Sequence, residues 1–175
     1  MEESLDATEI RLQNYRTALD RAQQYLALAI GSAVGIWLLR GESTATKVTV
    51  PGVFVEVDWE TARVLLLGFH IVISALATYT VETCIQIAEH LKSQPEIASA
   101  MYEYPSIPCS PWPGVRFAVP IISMVLIGWA RFAEGKALGL SDVVVLVLLI
   151  SVHGTLLSYL WKHPSGKISF AMLRR

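Results

Sequence analysis

Apolar residues gather into four stretches along the chain, 25–39, 62–80, 115–132 and 143–161, separated by polar or proline-rich segments. A helix rising ~1.5 Å per residue needs ~20 mostly apolar residues to cross ~30 Å of hydrocarbon. The last three stretches meet that length. The first is shorter, but Tyr25 and Trp37 bracket it where aromatic rings anchor a span at the interface. No Asp, Glu, Lys or Arg falls between Val64 and Thr80, or between Val143 and Tyr159. A soluble helical bundle does not distribute charge in this way. The pattern predicts an all-α integral membrane fold, a four-transmembrane-helix bundle.

Two of the predicted spans overrun the bilayer. Leu12, Tyr15, Leu19, Ala22 and Leu26 recur every three or four residues, a helical apolar stripe, with Arg11, Arg16, Asp20 and Arg21 on the other faces. Asp6 and Glu9 have capping-box spacing and predict the helix start near residue 7. Residues 1–24 therefore read as an amphipathic helix continuous with the first span at 25–39. After the second span, Val81, Cys84, Ile85, Ala88 and Leu91 keep an apolar stripe. The two extensions emerge on one side and are predicted to pair as a cytoplasmic helical stalk. Between these spans, residues 40–61 carry β-branched runs at 46–50 and 53–57 around Pro51-Gly52, which predict a small external β-hairpin.

Residues 81–114 hold the second extension, a short predicted helix at 96–102 and a loop with Pro105, Pro108, Pro111 and Pro113. Prolines at that density forbid regular helix. With Tyr102, Tyr104 and Trp112 among them, these prolines form a candidate docking site for a cytosolic partner; the plainer reading is a stiff connector packed on the stalk. Residues 133–142 form an external loop between the third span, 115–132, and the fourth, 143–161. A short basic tail, 162–175, ends the chain.

Composition sharpens this picture. The 175 residues are 53% hydrophobic and 17% charged, against ~25% charged in ordinary soluble domains. With both termini on one side, that side carries nine Lys and Arg and the other five, which places N- and C-termini in the cytoplasm of an inner-membrane protein. The acidic start lacks the basic region of a secretory leader, so the first span is expected to remain as an anchor. A net charge of −1 offers no nucleic-acid surface, and Cys84 and Cys109 are expected as free thiols in a reducing compartment.

Little in the chain carries chemistry. Ala27, Gly31 and Gly35 form a small-residue stripe on the first span, and Ser151 and Thr155 repeat it on the fourth. Such stripes let helix backbones approach closely in lipid, either within one chain or between copies. His70 and His153 are the deepest polar residues, about 12 and 16 Å from the external boundary at ~1.5 Å per residue, and could face one another. Three readings stand for them: a neutral hydrogen-bonded pair, a gate or proton-linked site, or axial ligands of a haem. No HExxH, GxSxG, phosphate-binding glycine loop or dinucleotide fingerprint occurs, so neither an enzyme nor a resident cofactor or metal is expected.

The unit Lys47-Val-Thr-Val-Pro-Gly-Val-Phe-Val-Glu-Val-Asp-Trp-Glu, leading directly into the second span, resembles the strand-then-span unit of small tetraspan membrane subunits of multi-gene bacterial systems, such as that of Kiwa anti-phage defence. The resemblance is architectural, covers about a quarter of the chain and carries over no functional residue. It implies an oligomeric membrane component working with a cytosolic partner in antiviral defence. The expected function is thus a non-enzymatic sensor or scaffold subunit that self-associates in the bilayer and signals to that partner. The alternative is a small oligomeric ion channel or pore-forming effector, with His70 or His153 near its gate.

Overall fold

The computed structural model describes residues 2–39, 47–50, 55–91, 106–110, 112–132 and 139–162. Among them are four helices, α1 (Glu2–Leu38), α2 (Trp59–Leu91), α3 (Pro113–Phe132) and α4 (Leu140–Lys162), and two short strands, β1 (Lys47–Val50) and β2 (Val55–Asp58). The strands pair antiparallel, with Lys47 opposite Asp58 and Val50 opposite Val55. Lys47 and Glu56 approach to 3.5 Å on this exposed ribbon, a contact worth little in water. Residues 51–54 lie outside the described residues, so the turn of the predicted hairpin does too. The short helix expected at 96–102, the external loop at 133–138 and the tail after Lys162 also fall outside them.

Helix α1 begins at Glu2, so Asp6 lies inside it and not at its cap, correcting the start read from Asp6 and Glu9. At ~1.5 Å per residue, α1 and α2 are each about 50 Å or longer. Asp58 caps α2 in the place Asp6 was expected to cap α1: its carboxylate accepts from the Thr61 backbone N–H at 2.8 Å and from the Thr61 hydroxyl. Pro113 opens α3, where a missing N–H costs nothing. Pro120 sits within α3, which the apolar pattern alone did not flag, and removes the bond to the Arg116 carbonyl.

Among the described residues two helices are long and apolar enough to cross a membrane, Trp59–Leu91 and Asp142–Lys162. The apolar part of α3, Gly114–Ala130, is shorter, and α1 does not meet the same measure. Length and composition thus mark two candidate spans where the sequence predicted four. Only 33% and 22% of the residues in the two apolar windows are buried, whereas the core helix of a soluble protein would be mostly buried.

Helix α1 runs along α2 and touches α3, while α4 closes the bundle against α2 and α3. Three clusters follow one another along it. The first joins Tyr15, Ala18 and Leu19 of α1 to Cys84, Ala88 and Leu91 of α2 and to Cys109. The second joins Ala22, Leu26, Ala77, Val81, Val119, Leu156 and Leu160, and the third Ala33, Ile36, Ile127, Ala130 and Leu149. Alanines crowd the inner faces: Ala22, Ala33 and Ala77 are all fully buried. Small side chains let the backbones approach and gain dispersion contact.

The outer surface of these stretches is apolar as well. Leu28, Val34 and Leu38 on α1, Val64, Leu65, Phe69 and Val72 on α2, Ile121, Ile122 and Val125 on α3, and Val143, Val144, Val147 and Leu148 on α4 are all exposed. Among the described residues the buried polar ones are Ser32, His70, Ser74, Arg116, Ser123 and His153, set in an otherwise apolar interior. Along their apolar stretches all four helices therefore present apolar residues outward as well as inward.

Candidate functional site

The centre of the bundle holds a polar cluster built from three helices. On α2, His70 and Ser74 are one turn apart and both fully buried. They share the face of Ala77 and Val81, which carries the α1 contact. On α4, His153 is 1% exposed and follows the buried Leu149 by one turn; on α1, Ser32 is buried one turn after the carbonyl of Ala29.

The structure brings His70 and His153 into direct contact. Their Nε2 atoms are 3.3 Å apart, with ring centroids 5.1 Å apart and planes within 13° of parallel. The Nδ1 of His153 lies 3.0 Å from the Leu149 carbonyl of its own helix. A carbonyl only accepts, so Nδ1 of His153 is the donor there. On the other side, Nδ1 of His70 lies 2.9 Å from the Ser32 hydroxyl and 3.1 Å from the Ala29 carbonyl, both on α1. Ser32 Oγ is in turn 2.9 Å from that carbonyl, and Ser74 Oγ is 3.5 Å from His70 Nε2. His70 is thus the residue through which α1, α2 and α4 meet. Ser32 was not singled out in the sequence, because an isolated serine in an apolar helix carries no signal until its partner 38 residues away is known.

With the imidazoles in direct Nε2 contact, no macrocycle fits between them, so the haem arrangement is not built here. No group of three or more His, Cys, Asp or Glu among the described residues could hold a metal ion. The cluster is suited to hydrogen bonding and proton binding.

Arg116 is a second buried polar feature. It stands one turn into α3 and is 2% exposed. Its guanidinium donates to the Ser110 carbonyl at 2.6 Å and toward the Leu160 carbonyl at 3.4 Å. Leu160 lies in the last turn of α4, where carbonyls lack helical partners and the helix dipole favours a cation. In the sequence it reads as one more cation at a segment end; its partners, 6 and 44 residues away, are a tertiary fact.

The small-residue stripes face outward. Ala27, Gly31, Ser151 and Thr155 are exposed. Ser151 and Thr155 return their hydroxyls to the carbonyls of Val147 and Ser151. A Cβ on Gly31 or Gly154 would meet nothing within 4 Å, whereas one on Gly35 would come within 2.7 Å of Leu66 Cδ2. Only Gly35, of the five stripe residues, packs within the chain. A shallow groove of about 320 Å³ between α2 and α4 includes Thr78, Tyr79, Glu82, Ser151, Thr155 and Tyr159 in its lining. Glu82, for which no partner was evident in the sequence, lies there beside Tyr159.

Of the docking residues read from the loop, Tyr102, Tyr104, Pro105 and Pro111 lie outside the described residues. Pro108 is buried, Pro113 starts α3 and Trp112 is 67% exposed. Cys109 packs in the first cluster with its sulfur 3.5 Å from the Tyr15 hydroxyl, so the described part of the loop is docked on the α1–α2 pair. No known protein family, curated protein or solved structure matches this chain.

Proposed function

We propose that this chain is a non-enzymatic four-span membrane protein, a sensor or scaffold subunit that relays a change in its bundle to a cytosolic partner. The observation that carries the membrane reading is that, along the apolar stretches, the outer surface of all four helices is as apolar as the core, while the two histidines there are buried. Water disfavours so large an apolar surface; a bilayer rewards it. The exposed rings of Trp112, Trp129 and Trp161 suit the two interfaces.

The relay is supported by continuity. His70 grips α1 at Ala29 and Ser32, and the same two helices run unbroken into the stalk clustered around Tyr15, Leu19, Cys84 and Leu91. A shift of α1 against α2 at the histidine level therefore reaches the stalk through two rigid rods. The stalk lies in the cytoplasm in this reading, the strand pair outside, and the partner binds beside the docked loop. Self-association is supported by the outward stripes of Ala27 and Gly31 and of Ser151 and Thr155, small residues left open on a lipid-facing surface. A place in an antiviral system is proposed on the resemblance of residues 47–60 alone.

The test is the mass and composition of the tagged protein purified from its native host in mild detergent. The reading expects a membrane-extracted oligomer holding a stoichiometric soluble protein. A protein recovered from the aqueous fraction, or a lone monomer, would overturn it.

A further inference from the structure

The carbonyls around the two histidines fix where their protons sit, because a carbonyl only accepts. Nδ1 of His153 lies 3.0 Å from the Leu149 carbonyl, so it carries a proton and donates there. Nδ1 of His70 lies 3.1 Å from the Ala29 carbonyl and 2.9 Å from Ser32 Oγ, so it too carries a proton and shares it between them. The Ser32 hydroxyl donates to the same Ala29 carbonyl at 2.9 Å, which leaves its oxygen to accept from His70. The Nδ1 side of both rings is thus fully hydrogen-bonded. In the neutral rings each Nε2 then holds a lone pair, and the two lone pairs face one another at 3.3 Å.

Two acceptors this close with no donor between them repel. The Ser74 hydroxyl stands 3.5 Å from His70 Nε2, at the outer limit of a hydrogen bond, and among the described residues His153 Nε2 has no partner other than His70. We infer that the gap between the two Nε2 atoms is a binding site for one proton, held as a shared N–H···N bridge between α2 and α4. A proton taken from water adds to the lone pair of one Nε2 and is accepted by the lone pair of the other, so one ion satisfies both rings. Both Nδ1 donors stay in place and spread the positive charge to the Ala29 and Leu149 carbonyls. A second proton has no place, because two N–H groups would then point at one another across the same 3.3 Å. A metal ion fits worse: two opposed bonds of ~2 Å to imidazole nitrogens need ~4 Å between them.

No other charge competes for this role. Asp, Glu, Lys and Arg are absent from residues 22–39 of α1, 64–80 of α2, 117–130 of α3 and 143–159 of α4. The only other titratable groups in those stretches are the phenols of Tyr25, Tyr79 and Tyr159. The flanking charges nearest the pair on its own helices, Arg63 on α2 and Lys162 on α4, stand about 10 Å or more away along the helix axes. Proton uptake turns the α2–α4 contact from a repulsion into a charge-assisted hydrogen bond, shorter and about twice as strong as a neutral one. His70 is already tied to α1, so one ion joins three helices. The site stands on these hydrogen bonds alone; its use as the stimulus of the relay rests on the sensor reading.

The experiment is ¹⁵N NMR of the full chain in lipid nanodiscs, with the histidine rings labelled and told apart through His70→Ala and His153→Ala, from pH 8 to pH 4. At pH 8 both rings are expected as the Nδ1–H tautomer with bare Nε2 atoms. On acidification both Nε2 signals should move together as the pair takes up one proton, and a ¹⁵N–¹⁵N coupling through the shared hydrogen bond should appear between them. That coupling is read in the parent chain and needs no variant to fold. His153→Ala leaves His70 without its acceptor and should lower proton affinity there about tenfold or more, the equivalent of one charge-assisted hydrogen bond. An Nε2–H tautomer in either ring at pH 8, no coupling in acid, uptake of two protons, or no titration would each overturn the proposal. Partner retention across the same pH range is measured separately. A pair that takes up its one proton while the partner stays bound unchanged leaves the proton site standing and removes the sensor reading.

Discussion

Replacing Arg116 with alanine tests whether a buried guanidinium holds together the end of the bundle where Ser110 meets the last turn of α4. The side chain is 2% exposed and donates to Ser110 at 2.6 Å and toward Leu160 at 3.4 Å. A hydrogen bond from a charged group contributes about 1.5–3 kcal/mol, and the longer contact lies beyond the usual range and counts for a fraction of that. Against this stands the cost of burying the cation, with Nε left unpartnered in the interior. If the hydrogen bonds win, Arg116→Ala loses about 2 kcal/mol, and Arg116→Lys, which keeps the charge but reaches only one carbonyl, loses about half as much. Arg116→Met decides between the two effects, since it keeps the volume and discards the charge. The assay is reversible unfolding in mixed detergent and SDS micelles followed by circular dichroism. A methionine variant as stable as the parent, or more so, would refute the clamp and show that charge burial cancels it.

Three further outcomes follow from the same geometry. Asp58, fully exposed, is held below its ordinary value of 3.8, first by the hydrogen bond from the Thr61 hydroxyl and then by that from the Thr61 amide. The cap is therefore complete above the ordinary carboxylate range and is lost as the pH falls through the lowered folded value; the Thr61 amide shift in NMR between pH 6 and 2 should report it, and a flat profile would contradict it. Cys84 and Cys109 are both buried as free thiols, so N-ethylmaleimide should modify the native protein slowly and both sites promptly in SDS, as read by mass spectrometry. Gly35→Ala must displace Leu66, whose Cδ2 stands 2.7 Å from the added Cβ, and should cost under about 1 kcal/mol because a side-chain tip can yield, whereas Gly31→Leu meets open space and should leave the monomer intact while lowering oligomer mass in mass photometry.

How far the sequence reaches differs from element to element. The four helices follow from apolar runs and stripes that set them apart from their neighbours, and β1 and β2 fall within one or two residues of the β-branched runs. The stalk partners Tyr15, Leu19, Cys84, Ala88 and Leu91 were legible because helical spacing alone puts each on one face. Which face turns inward within the apolar stretches was not legible. In the apolar stretch of α1 the buried positions are Leu26, Ala29, Ser32, Ala33 and Ile36, while Ala27 and Gly31, read as a packing stripe, face out. When every side of a helix is apolar, periodicity gives no direction, and only contacts with other helices choose one. His70 and His153 were the exception, since an ionisable ring in such a stretch is costly to leave in lipid, whereas the hydroxyls of Ser151 and Thr155 are satisfied by their own helix. Ser32 and Arg116 escaped notice because their meaning lies in atoms 38 and 44 residues away.

The central claim, that lipid covers the outward faces of all four helices, is tested most directly by single cysteines at Leu28, Phe69, Val125 and Val147, one on each helix and each exposed in the structure. In sealed native membranes a water-soluble maleimide should leave all four unlabelled beyond the buried background of Cys84 and Cys109, while a bilayer-soluble quencher reaches a probe at each position. Rapid labelling at Leu28 or Val125, with Phe69 and Val147 protected, would contradict the account and leave a protein of two spans.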